Sequence, residues 1–136
     1  MIELTLPVPP SVNHYYVRTK YGMAIGAKGK EYRRNTYLEV KNKYPKHETF
    51  MQPVTLVISF IPGSRRKRDV DNILKCLLDS IEKAGIYSDD FQVKTLLVHR
   101  QEPQKNNGHL QVKIYECEET KTDDIRTCVD AIRARI

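Results

Sequence analysis

The chain has 136 residues, 40% hydrophobic and 29% charged, with a formal net charge of +6, which suits one compact domain with its own core and excludes a disordered chain. No apolar run approaches the roughly 18 residues of a membrane span, and "MIELTLPVPP" has neither the basic start nor the apolar stretch of a secretory signal. Cys76, Cys117 and Cys128 form no CxxC pair, which argues against a disulfide framework or a zinc knuckle and for a reducing cytoplasm.

"IELTLPV" alternates as a strand does and stops at Pro7. "VPPSVNHYY" is expected to be an extended loop because of Pro9 and Pro10. "YYVRTKYGMAI" reads as a hairpin turning near Lys20 to Gly22. From Lys28 to Tyr44, the recurrence of Tyr32, Thr36, Val40 and Tyr44 gives a helix with one packing face, ended by Pro45. "PVTLVISFIP" is the most apolar run and is expected to be a buried strand.

In "DNILKCLLDSIEKAG", Ile73, Leu74, Leu77, Leu78, Ile81 and Ala84 make one helical face, and Gly85 is the stop. "QVKTLLVHRQ" and "GHLQVKIYE" are two more strands, joined by the turn-rich "EPQKNNG". "TDDIRTCVDAIRARI" spaces Ile125, Val129, Ile132 and Ile136 as a short amphipathic helix. The order implies a single α/β domain with a mixed sheet and two main helices over residues 1–116, followed by a C-terminal helix or tail over 117–136.

Charge is unevenly distributed. Residues 1–68 carry 13 Lys/Arg against 4 Asp/Glu, whereas residues 69–136 carry 10 against 13. That is the pattern of a cationic surface around an acidic centre, although basic charge alone also serves solubility. The two regimes meet in "RRKRDVDNILK". Here Arg65, Arg66, Lys67 and Arg68 run into Asp69 and Asp71. If this stretch is extended, the two carboxylates project to one side with Cα atoms roughly 7 Å apart, at about 3.3 Å per residue.

Lys75 follows Asp71 by one helical turn, and Asp79 and Glu82 share the same arc. "IYSDDFQV" places Asp89 and Asp90 between a helix and a strand. Asp69, Asp71 and Asp90 would hold one or two Mg²⁺ ions, because hard oxygens suit that ion and it keeps several waters. The cations would then receive a phosphate backbone, and Lys75 would stabilise developing charge or position the attacking water. The plainer alternatives are an N-cap for Asp71, a solvated face for Asp79 and Glu82, and an ordinary turn for Asp89 and Asp90.

"RDVDNILKCLLDSIEKAGIYSDDFQV" resembles the signature of the RusA family of Holliday junction resolvases. It shows an Asp-x-Asp-Asn, a Lys four residues after the second Asp, a Leu-Leu-Asp helix, and an Asp before a Gln-Val strand. "PVPPSVNHYY" resembles the family's Pro-rich opening with its Asn13 and aromatics, and the likeness spans roughly residues 2–116.

The resemblance implies a small homodimeric, Mg²⁺-dependent endonuclease of bacteria and phages, with Mn²⁺ as an alternative ion. It would cut two opposed strands of a four-way DNA junction during recombination and repair. It also implies that Asp69, Asp71 and Asp90 are catalytic metal ligands and that Lys75 is the catalytic lysine, with Asp89 as runner-up to Asp90. Asp79 matches a helix Asp of unassigned role. A dimer fits a substrate that needs two symmetric cuts. Two other readings stand beside this one: a less selective nuclease for branched DNA or flaps, and a nucleic-acid-binding module whose aspartates are only caps and turns. His14, His47, His99 and His109 lack metal-ligand spacing, and Tyr15 and Tyr16 either pack or stack on a base.

Overall fold

A computed structural model describes residues 1–116 together with residues 133 and 134. The expected apolar face of Ile125, Val129, Ile132 and Ile136 lies outside the described residues, as does most of the expected 117–136 tail.

Alternation sets the first strand, β1 (Ile2–Pro7): Ile2, Leu4 and Leu6 enter the core while Glu3 and Thr5 face out. The apolar run forms β4 (Val54–Ile61), and the two later strands are β5 (Val93–Arg100) and β6 (His109–Glu116). The sheet order is β1-β6-β4-β5. β4 pairs antiparallel with β6 and parallel with β5, so the sheet is mixed as expected. The hairpin is a separate ribbon of β2 (Tyr16–Thr19) and β3 (Gly22–Ile25), closed by a two-residue turn and by Gly22 at φ +113°.

The long helix α2 (Ala27–Lys43) buries Tyr32, Thr36 and Val40 of the expected stripe, whose last member, Tyr44, caps the helix and is half-buried. It packs on α3 (Leu74–Lys83), which buries Ile73, Leu77, Ile81 and Ala84 at its ends and core face. Cys76 and Ser80 are also buried while Leu74 and Leu78 of the expected face are half-buried, so the inward arc of α3 is rotated relative to the leucine stripe. Burial pushes the Cys76 thiol up to about 11, which suits a packing residue rather than a nucleophile. Gly85, at φ +84°, ends the helix in the left-handed conformation that glycine adopts freely.

Two segments differ from the sequence expectation. The loop after Pro10 contains one helical turn, α1 (Val12–Tyr15), because the Ser11 carbonyl accepts from the His14 and Tyr15 N–H groups at 2.9 and 2.8 Å. That turn drives Tyr15 fully inside, so Tyr15 packs and is not available to stack on a base. The chain after the basic run is not extended through Asp71. The Asn72 N–H donates to the Asp69 carbonyl at 3.2 Å, and residues Val70–Ile73 curl into a 3₁₀ turn that feeds α3.

Parallel strands need a crossover, and α3 supplies it between β4 and β5. In this register Val54 pairs with Val93 and Phe60 with Arg100. The loop leaving β4 and the loop entering β5 therefore lie at opposite ends of the sheet.

Candidate active site

The basic segment leaves the end of β4 as a loop with a fixed base. The Gln104 N–H donates to the Pro62 carbonyl at 2.8 Å and the Asn106 N–H to the Gly63 carbonyl at 3.1 Å. A Cβ on Gly108 would meet the Gly63 nitrogen at 2.8 Å, so two backbones touch where side chains cannot fit. Arg100 donates from Nη1 to the Arg68 carbonyl at 2.7 Å. Above this base Arg65, Arg66, Lys67 and Arg68 are exposed, and among the described residues none of them forms an ion pair. Arg66, Lys67, Arg68 and Asp69 line an open groove of about 690 Å³ together with Asn13 and His14. The Pro-rich opening and the basic run thus share one surface.

Asp69 and Asp71 are exposed at the start of the 3₁₀ turn. Neither caps a helix through its side chain, and among the described residues neither side chain has a hydrogen bond or ion pair. The capping alternative for Asp71 is not realised.

The other acidic residues gather toward the far end of α3. Asp79, Glu82 and Asp90 each offer an oxygen within 4.8 Å of the others. Asp79 is the most heavily engaged. Its Oδ1 accepts from Lys75 Nζ at 3.3 Å, and its Oδ2 accepts from the Tyr15 hydroxyl at 2.9 Å and lies 3.7 Å from Arg33 Nη2. The hydrogen bond and charge of Asp79 raise the Lys75 ammonium above the ordinary lysine value, with smaller help from Tyr16 and Asp90. Lys75 therefore stays cationic.

Burial raises Asp90 above the usual carboxylate range. The Tyr87 hydroxyl, donating to Asp90 at 3.1 Å, opposes that rise, and the charge of Asp79 adds to it. Glu82 is raised by burial and then by the charges of Asp90, Asp89 and Asp79. Crowded carboxylates whose anionic forms are penalised by burial and by one another suit a cation.

Asp89 is the structural member of its pair. Its side chain accepts from the Phe91 N–H at 2.8 Å, and the Gln92 side chain accepts from the Asp89 N–H at 2.9 Å, a capping box on the 3₁₀ turn Asp90–Gln92. Asp90 is thereby turned toward Tyr87 and Asp79.

The sequence-derived residues fall into two groups. Asp90 and Lys75 sit with Asp79 and Glu82, while Asp69 and Asp71 sit by the basic loop at the N-terminal approach to α3. Asp71 precedes Asp79 by eight positions, about two helical turns or roughly 12 Å along the axis. Arg33 and Tyr87 are additions that no motif announced, and the sequence reads Tyr15 only as packing or stacking on a base. Glu82 was visible as a neighbour of Lys75 on the helical arc.

Comparison with known proteins bears on the same residues. The family model described as Endodeoxyribonuclease RusA matches residues 7–115. The chain belongs to the RusA family. A Crossover junction endodeoxyribonuclease RusA of Shigella sonnei (strain Ss046) is 37% identical over 114 residues, covering 84% of this chain and 93% of the relative. The protein of the same description from Escherichia coli (strain K12) is 36% identical with the same coverage. That of Enterobacteria phage HK97 is 38% identical over 116 residues, 85% of this chain and 95% of the relative.

The RusA match takes in the groove, the basic loop and both acidic groups. A divalent metal fits the donors present: carboxylate oxygens, grouped at Asp79, Glu82 and Asp90 and unpartnered at Asp69 and Asp71. No described helix is long and apolar enough to cross a membrane.

Proposed function

We propose that this protein is a Mg²⁺-dependent endonuclease that resolves four-way DNA junctions by paired, symmetric nicks, acting as a homodimer in the cytoplasm of a bacterium or its phage-infected host. One observation carries the reading. Arg65 to Arg68 run directly into Asp69 and Asp71, yet no ion pair joins the two sets among the described residues. Charges not spent on each other are available, the cations for phosphates and the carboxylates for a metal. The relatives named crossover junction endodeoxyribonucleases support the substrate class.

In this reading Asp69, Asp71 and Asp90 hold the ion. A bound divalent cation supplies an activated water and charge stabilisation at the scissile phosphate. Arg65, Arg66, Lys67 and Arg68 bind the backbone and set its register. Lys75 places a permanent positive charge where the departing oxygen develops negative charge.

The separation of Asp90 from Asp69 and Asp71 along α3 favours a site completed between subunits. One protomer presents the basic loop with Asp69 and Asp71, and Asp90 of the partner subunit completes the ligand set. The surface next to Asp90 supports such an interface. Phe91 is 94% exposed and Met51 70%, and among the described residues β5 is an edge strand carrying exposed Leu96 and Leu97. A two-fold dimer then carries two equivalent sites for two opposed strands.

The test is cleavage of a synthetic four-way junction with and without Mg²⁺. Paired symmetric nicks that need the ion are the expected result. Scattered nicks would mean a less selective branched-DNA nuclease, and binding without cleavage a non-catalytic module.

A further inference from the structure

Asp79 differs from the other carboxylates near it because both its oxygens already have donors. Lys75 takes Oδ1, while Tyr15 and Arg33 take Oδ2. Its charge is offset by two cations, so it has less anionic charge to offer a metal ion than Glu82 or Asp90, neither of which forms an ion pair among the described residues. Its anchors come from outside α3. Tyr15 belongs to α1 and is fully buried, Arg33 belongs to α2, and Arg33 Nε donates to the Tyr15 hydroxyl at 3.0 Å. An exposed Lys paired only along its own helix samples many rotamers. Here the carboxylate it pairs with is held from two other elements, so the ammonium has a fixed target. That target lies in the cluster containing Asp90, whose charge Lys75 feels.

We infer that Asp79 is a positioning residue: it fixes the Lys75 ammonium beside Asp90 and does not itself ligate the metal. The inference rests on the reading of Lys75 as the catalytic cation given above. It also divides the acidic cluster by role. Asp90 faces the metal, whereas Asp79 faces the lysine.

Four proteins test it by single-turnover junction cleavage across a Mg²⁺ titration: wild type, Asp79→Asn, Lys75→Ala and the double variant. Asp79→Asn should lower the rate at saturating Mg²⁺ by about 10- to 100-fold, the scale of one misplaced electrostatic group. Its Mg²⁺ midpoint should stay within about twofold of wild type, because no ligand is lost. In the Lys75→Ala background the same change should cost nothing further, the non-additivity of two residues acting as one unit. A Mg²⁺ midpoint raised about tenfold, with rate recovered at high Mg²⁺, would make Asp79 a ligand and overturn the inference. Equal losses in both backgrounds would reduce Asp79 to a structural role. Tyr15→Phe removes the buried anchor but keeps the pair, and should show the same pattern at smaller amplitude.

A second readout needs no cleavage. Acetylation by an amine-reactive ester, followed by peptide mass spectrometry, should label Lys75 several-fold faster in Asp79→Asn than in wild type, as expected for an amine released from its ion pair. The other lysines serve as the control for folding. Unchanged Lys75 labelling overturns the inference. Wild-type protein that fails to cut any junction overturns the nuclease reading instead, and the labelling still decides whether Asp79 holds Lys75.

Discussion

The Tyr87 hydroxyl is shared between the Asp90 carboxylate and the Leu78 carbonyl, both at 3.1 Å. One buried phenol thereby ties the segment entering β5 to the body of α3 and fixes where Asp90 points. Burial first, and then the charge and hydrogen bond of Asp90, raise the Tyr87 hydroxyl far above its ordinary value, so it remains a donor at every working pH. Tyr87→Phe should cost about 1 kcal/mol of stability for the lost hydrogen bond. If Asp90 is a metal ligand as proposed, the substitution should also weaken Mg²⁺-dependent cleavage more than junction binding, because that carboxylate loses its orientation. Urea unfolding beside cleavage and gel-shift assays separates the two effects; equal losses in binding and cleavage would count against this role.

Asp90 and Glu82 also predict a pH dependence. Both are raised in the folded state, so the fold binds their protons more tightly than the unfolded chain does. The stability tied to them is present below the unfolded carboxylate values, near 4, and is lost as pH rises through the raised folded values. Metal-free protein should therefore gain from these two groups as pH falls through that window. Mg²⁺ should raise the melting temperature at pH 7 and progressively less across the same window, as protons displace it. Melting curves with and without Mg²⁺ check this. An Mg²⁺ increment that does not shrink on acidification would mean that the ion binds elsewhere.

For the basic loop the expected signature is a salt slope. Neutralising Arg65, Arg66, Lys67 and Arg68 together should weaken junction binding and flatten log affinity against log salt by about 0.9 per lost phosphate contact. Because the base of the loop is held by the backbone of Pro62 and Gly63 and by Arg100 on the Arg68 carbonyl, the fold should survive the change. An unchanged slope would show that these side chains point away from DNA.

The helix α2 carries a glycine where helix propensity prefers alanine by about 1 kcal/mol. Gly29 is buried, and a Cβ there would sit 2.6 Å from Tyr15 Cδ2 and 2.8 Å from Ile25 Cγ2. Gly29→Ala must push the Tyr15 ring away, and overpacking of this kind costs roughly 1–3 kcal/mol. A net loss of about 1 kcal/mol is expected, together with slower cleavage as Tyr15 leaves Asp79. A stabilised Gly29→Ala protein would show that the contact yields at no cost.

Much of this architecture was legible because periodicity is local. Ile2, Leu4 and Leu6 alternate, Tyr32, Thr36 and Val40 recur every four residues, and "LVISFI" has no polar break before Ser59, so strands and helices followed from the pattern. The pairing of Asp89 with Asp90 was legible only as a turn; the capping box that assigns their separate jobs needs backbone geometry. Of the hub at Asp79, only the Lys75 neighbour on the helical arc was legible. Tyr15 lies 64 positions away, and its contact exists only because α2 packs on α3 and Gly29 admits the ring. For Asp90 the pattern implies a strand beside β4, and β5 does pair with β4; that the pairing is parallel, with the loop leaving β4 and the loop entering β5 at opposite ends, needs the fold.

That separation gives the sharpest experiment. Asp69→Asn, Asp71→Asn and Asp90→Asn should each abolish cleavage by a homodimer while keeping junction binding, since the basic loop is untouched. Now let Asp71→Asn protein be mixed with Asp90→Asn protein and the subunits exchanged. If the ligands of one ion come from two subunits, the mixed dimer holds one site with both substitutions and one site with neither. Cleavage should return, limited to one nick per dimer, and reach at most half the dimers because random exchange yields mixed dimers in about that proportion. If all ligands of an ion come from one subunit, every site in the mixture carries a lesion and nothing returns. Nick mapping on a junction with each strand labelled in turn reads the outcome. A mixture as inactive as its parents, with subunit exchange verified, would confine each metal site to one chain. It would then require Asp69 and Asp71 to reach Asp90 past the two turns of helix that part Asp71 from Asp79.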